Sequence, residues 1–364
     1  MLPLRERAAS NQSRERISLL PSDPNLSEAR PRLRRSLHLA LFVTSIAWVV
    51  AATQLAARAA RGFSIRFQLG DEFLLIEAAF LLFLLGAGFA MLQSIMARNT
   101  PLRETLGLPE RRTARSEWAT GAAIGWGTIV LAVLPMALIG TLSVRFWTEP
   151  RSFWLVVVNL AAIAGLALAS EMAFRGYPYQ RLIEAIGPSW ATVVMALLFA
   201  AIGGFNQNGS RSATVITVLL GALLCSAWLR THGLWLGWGL RFAWMASLGI
   251  LFGFPVNGLD NVSSLVQTRA IGPEWLTGGD FGPEGTIWMV LLLIGAIAVL
   301  IRTTREWAWE YTHKPIVPGG YPMDGAPPAA HTAMEKAGQG TKAPILVQIL
   351  PSTSQTRSVN DDLP

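Results

Sequence analysis

Apolar residues in this chain fall in long blocks, at about 37–57, 73–96, 119–142, 153–173, 189–204, 213–229, 234–252 and 286–302. They do not follow the three-to-four-residue spacing of a helix that buries one face and wets the other. A bilayer core about 30 Å thick is crossed by a helix of about 20 apolar residues. The pattern therefore predicts an all-α fold, a polytopic membrane bundle of about eight transmembrane helices over residues 36–303. The flanks read differently. Residues 1–35 carry eight arginines among Pro, Ser and Asn, and residues 304–364 are rich in Pro, Ala, Gly and Thr. Both lack the apolar content of a packed core and are expected to be disordered cytoplasmic tails. The short apolar run PILVQIL at 344–350 reads as a sticky piece of linker.

Composition sharpens this picture in two places. Of the 364 residues, 52% are hydrophobic and 15% charged, with a net charge of +7. The arginines cluster beside apolar blocks, so the positive charge is a topology signal, and the partner it implies is the lipid bilayer rather than nucleic acid. Arg98, Arg103, Arg111, Arg112 and Arg115 crowd the loop after the second block, whereas 253–285 carries Asp260, Glu274, Asp280 and Glu284 against Arg269. With an even number of spans, both termini are expected in the cytoplasm and the chain in the cell membrane. Arg58, Arg61 and Arg66 stand against this orientation. No secretory signal peptide is read at the amino terminus. The single cysteine, Cys225, excludes an intrachain disulfide and a cysteine metal cluster, and reads as a small apolar packing residue.

The candidate chemistry lies in charges placed inside apolar blocks. Glu171 and Arg175, in SEMAFRGYPYQRL, are four residues apart and share a helix face. They read either as an inward-facing pair or as a helix end with Arg175 snorkelling to the headgroups. Arg241 stands about seven residues inside the seventh block, roughly 10 Å deep at 1.5 Å per residue. A permanent cation there needs a partner, and Glu171 is the candidate, Glu77 being the other acid deep in a span. Trp235, Trp238 and Trp244 read as interface anchors or packing residues, and LTGGDFGPEGT at 276–286 as a turn-rich loop outside the membrane.

The sequence resembles the CPBP family of intramembrane proteases, also called the CAAX-processing or Abi family. SEMAFRGYPYQRL is similar to the family's first motif, two consecutive glutamates with Arg-Gly after three further residues. MALLFAAIGGF at 195–205 resembles the second, Phe with His four residues later, and LWLGWGLRFAWM at 234–245 the third, His with Asn or Asp four residues later. The resemblance covers roughly 70–302 in order and spacing. It implies an eight-helix bundle that cleaves peptide bonds within the membrane, the first Glu and the motif-two His activating water while the motif-three pair stabilises the oxyanion.

This chain departs from the motifs where the chemistry occurs. Ser170 stands for the first Glu, Gly203 for the motif-two His, Arg241 for the motif-three His and Met245 for its Asn. Glu171, Arg175, Gly176 and Phe199 remain. The four histidines, His38, His232, His313 and His331, lie at span ends, in loops or in a tail, and no lysine precedes Lys314. A general base is thereby reduced to Glu171 beside two arginines, and no cofactor or metal is expected. Three readings follow: a degenerate family member whose bundle binds a membrane protein, a peptide or an anionic ligand; an active endopeptidase rewired around Glu171 and Ser170; and an anion carrier using Arg241.

Overall fold

The computed structural model of the protein describes residues 24–95, 101–205, 211–256 and 265–312. The run 344–350, His313 and His331 lie outside them. In chain order the helices are α1 (Pro24–Phe67), α2 (Phe73–Ser94), the single turn α3 (Leu102–Thr105), α4 (Ala114–Ile139), α5 (Pro150–Arg175), α6 (Tyr177–Ile186), α7 (Pro188–Phe205), α8 (Arg211–Thr231) and α9 (Trp235–Ala246). After these come the short α10 (Glu274–Thr277), α11 (Ile287–Thr303) and α12 (Arg305–Thr312). The architecture is the all-α membrane bundle that the apolar blocks predict.

The eight blocks do not all form helices of spanning length. Five helices are long and apolar enough to cross a membrane: Arg34–Phe67, Phe73–Ser94, Ala114–Ile139, Pro150–Ile186 and Thr214–Thr231. The blocks at 189–204 and 286–302 correspond to the shorter apolar helices Pro188–Ile202 and Ile287–Thr303. The block at 234–252 is α9 continued by a π-helical turn, Ser247–Leu251. Large apolar side chains such as Phe83, Met91 and Leu138 are exposed on the outer faces, as expected where the surroundings are hydrocarbon rather than water.

Two features fall outside the sequence reading. A two-stranded antiparallel sheet pairs β1 (Leu142–Phe146) with β2 (Val266–Ala270), Val144 opposite Thr268, and joins the loops after α4 and before α11. Helical structure also enters both stretches read as tails. The first helix starts at Pro24, and α12 docks through Tyr311, whose hydroxyl donates to Glu117 and meets Thr113 while Arg111 lies over its ring at 4.1 Å. Of the arginines that oppose the expected orientation, Arg61 acts electrostatically on Glu77.

The most extensive helix contact is between α4 and α9, and glycine makes it. A Cβ on Gly121 would run into the carbonyl of Leu236, one on Gly125 into that of Leu240, and one on Gly239 into that of Trp118. Gly121 and Gly125 form a G-x-x-x-G pair on one face of α4, and α9 answers with Gly239. Lipid supplies no hydrophobic drive between helices, so backbone-to-backbone proximity and its dispersion energy must hold the crossing. Around it lie Ile129, Met136, Leu240 and Trp244, all buried. Gly127, on the same helix, has nothing within 4 Å of its would-be Cβ. Gly125→Leu is expected to force the two helices apart and lower stability by about 1–3 kcal/mol or more, read as a drop in thermal unfolding temperature of the detergent-purified protein. Gly127→Leu serves as the matched change and is expected to leave that temperature within experimental scatter.

Candidate functional site

The first motif sits where one helix is made to stop. Pro178 lacks an amide hydrogen and its ring obstructs the preceding turn, so the helix through Glu171 cannot continue past it. The chain breaks at Gly176, whose amide returns to the carbonyls of Glu171 and Met172, and restarts as α6 with Pro178 in its first turn. A Cβ at Gly176 would stand 2.5 Å from the Met172 carbonyl oxygen, which is why glycine is needed at the break.

This break leaves Glu171 and Arg175 inside the bundle. Glu171 is 1% exposed and Arg175 fully buried, so Arg175 does not snorkel to the headgroups. One guanidinium nitrogen, Nη1, donates to Glu171 Oε1 at 3.4 Å and the other, Nη2, to the carbonyl of Gly221 on α8 at 3.3 Å. Its Cζ lies 4.3 Å from the centroid of the Phe199 ring on α7. Arg241, on α9, approaches the same ring, with Cζ 5.7 Å from the centroid. Arg175 and Arg241 thus meet at the Phe199 ring, the three residues coming from three helices, and both arginines act electrostatically on Glu171.

The remaining motif positions add little chemistry. Met245 is buried one turn beyond Arg241, Ser170 is partly buried on α5, and Gly203, one turn beyond Phe199, brings no side chain. His38 pairs with Glu184 at 2.9 Å. His232 lies in the turn between α8 and α9, where burial and the Arg111 guanidinium hold its imidazole below the usual range. Among the described residues, no three His, Cys, Asp or Glu side chains come together as a metal site.

Three contributors escaped the sequence reading. Glu284, from the loop read as lying outside the membrane, accepts a hydrogen bond from Trp244 Nε1 and acts on Arg241 more strongly than Glu171 does. The expected surplus of positive charge is therefore corrected: two carboxylates face two guanidinium groups. Gly237, one turn before Arg241, makes room for the Glu171 carboxylate, since a Cβ there would stand 2.6 Å from Oε2. That oxygen is buried and has no hydrogen-bond partner among the described residues. Cys225 is buried as expected, and Arg175 acts electrostatically on its thiol, so its surroundings are not wholly apolar. The glycines were visible in the sequence as WLGWG before Arg241. Nothing local marked Glu284, because a loop residue declares no partner.

Residues 150–247 match the family described as type II CAAX prenyl endopeptidase Rce1-like. No curated protein and no solved structure gives a significant match. The matched segment contains Glu171, Arg175, Phe199 and Arg241, the residues that converge in space. This segment, 98 of the 364 residues, spans all three motif regions, so the chain is similar to that family over this stretch.

Proposed function

We propose that the chain is a catalytically degenerate CPBP-type protein whose bundle binds a membrane-embedded protein or peptide instead of hydrolysing one. The observation that carries this reading is Arg241. A permanent cation occupies the motif-three histidine position, in the same cluster as Glu171, and it cannot exchange a proton near neutral pH. With Gly203 at the motif-two position, two of the groups that the resemblance assigns to water activation and oxyanion stabilisation are replaced by residues unable to do that work. Glu284 offsets Arg241, which favours a protein or peptide partner over an anionic ligand in the core and weighs against the carrier reading.

One observation favours the second reading, an endopeptidase rewired around Glu171. Its Oε2 is buried beside Gly237 without a hydrogen-bond donor, so one carboxylate oxygen is left to accept a proton. The two readings separate on purified protein in liposomes with a transmembrane peptide, products being followed by mass spectrometry. The degenerate reading expects no cleavage above the protein-free control, in the parent and in Glu171→Gln alike. Cleavage by the parent that vanishes in Glu171→Gln establishes the rewired enzyme instead.

The charge cluster makes a separate prediction. Removing one member of a buried pair leaves its partner uncompensated and costs about 3–5 kcal/mol. Arg241→Ala is therefore expected to unfold at markedly lower temperature in detergent. Glu284→Gln combined with Arg241→Ala is expected to cost less than the two changes summed, because the charges couple directly. Strict additivity of the two would mean that Glu284 is not the counter-ion.

A further inference from the structure

A second concavity, separate from the Glu171 cluster, opens where α4 begins. It has a volume of about 660 Å³ and is lined by Arg111, Arg112, Arg115, Trp118, Trp235 and Trp238. Its floor is aromatic: Trp118 meets Trp238 edge-on at 6.2 Å and Phe242 at 5.5 Å, and Trp235 lies 5.8 Å from Trp238. Two of the indole N–H groups are already used, Trp235 Nε1 on the Pro109 carbonyl and Trp238 Nε1 on that of Ala164. Trp118 Nε1 is buried and has no partner among the described residues. The arginines also divide. Arg111 is fixed by the carbonyls of Thr231 and His232 and by the Tyr311 ring. Arg112 and Arg115 are exposed and make no ion pair with a described residue. The acids nearest in sequence are engaged elsewhere: Glu110 pairs with Arg103, and Glu117 accepts from Thr113 and Tyr311.

We infer that this concavity binds the phosphate headgroup of an anionic phospholipid. Two features fit that ligand together. Two guanidinium groups without an ion-pair partner among the described residues and the amino-terminal end of the 26-residue α4 present positive charge to a phosphate. Below the arginines, α4 turns an apolar face outward through Ala119, Ala123 and Trp126, all exposed. Arg115 and Trp126, eleven residues and three turns apart, share that face. A charged mouth heading an apolar lane is complementary to a headgroup with its acyl chain, whereas a free phosphate would use only the mouth. Basic clusters at the ends of membrane helices attract anionic lipids in this way. By the orientation expected from loop charge, the leaflet is the cytoplasmic one.

The test is native mass spectrometry of the full-length protein, released from detergent after incubation with phosphatidylglycerol or phosphatidylcholine of matched chain length. Phosphatidylglycerol is expected to be retained in preference. Arg112→Gln and Arg115→Gln, both surface changes, should each weaken that retention about fivefold. Arg145→Gln and Arg269→Gln in the two strands should leave it unchanged. Equal retention of the two lipids, or retention indifferent to Arg112 and Arg115, overturns the inference. Displacement of the bound phosphatidylglycerol by millimolar inorganic phosphate overturns the lipid assignment in favour of a soluble phosphate ligand.

Discussion

A guanidinium carried into a lipid-embedded bundle has to meet an anion there, because neither water nor hydrocarbon can stabilise it at that depth. Arg175 and Arg241 are 0% and 5% exposed, and the arrangement of the inner helices can be read as the answer to that demand. Glu171 serves Arg175 from one turn away on the same helix. Glu284 is delivered to Arg241 by a loop that folds back against α9, held there by Trp244. Both cations lie over the Phe199 ring, with Cζ 4.3 Å and 5.7 Å from its centroid.

Bringing those groups together requires α9 to approach α4 and α5 more closely than ordinary side chains permit. Gly121, Gly125 and Gly239 allow the first approach and Gly237 the second. The glycines therefore carry function indirectly. They set the distance at which Arg241 enters the cluster and at which the Glu171 carboxylate can lie beside α9.

The chemistry of the centre follows from what these charges can exchange. The two guanidinium groups stay charged near neutral pH, so within the cluster proton exchange is left to the two carboxylates. The basic concavity at the head of α4 has the opposite character. Its Arg112 and Arg115 are exposed and make no ion pair with a described residue. The two sites share α9, which carries Trp235 and Trp238 at its first and fourth positions and Arg241 at its seventh.

Much of this was legible in the sequence. Long apolar blocks can be satisfied only by helices in a bilayer, since each backbone polar group must be paired within its own segment, and so they fixed the fold class. The i,i+4 spacing fixed the Glu171–Arg175 pair, and the order of the motifs pointed to the family. Spacing could not say that Arg175 faces inward, because a helix end offers both an inward and a snorkelling rotamer. Nor could it say that Glu284 crosses from a loop to Arg241, that Cys225 lies within the field of Arg175, or that α9 gives way to a π-turn. Those depend on which helices touch and how closely. In this protein glycines decided that distance, and only in three dimensions do three charges spread over 171–241 and a fourth at 284 become one balanced set beside the Phe199 ring.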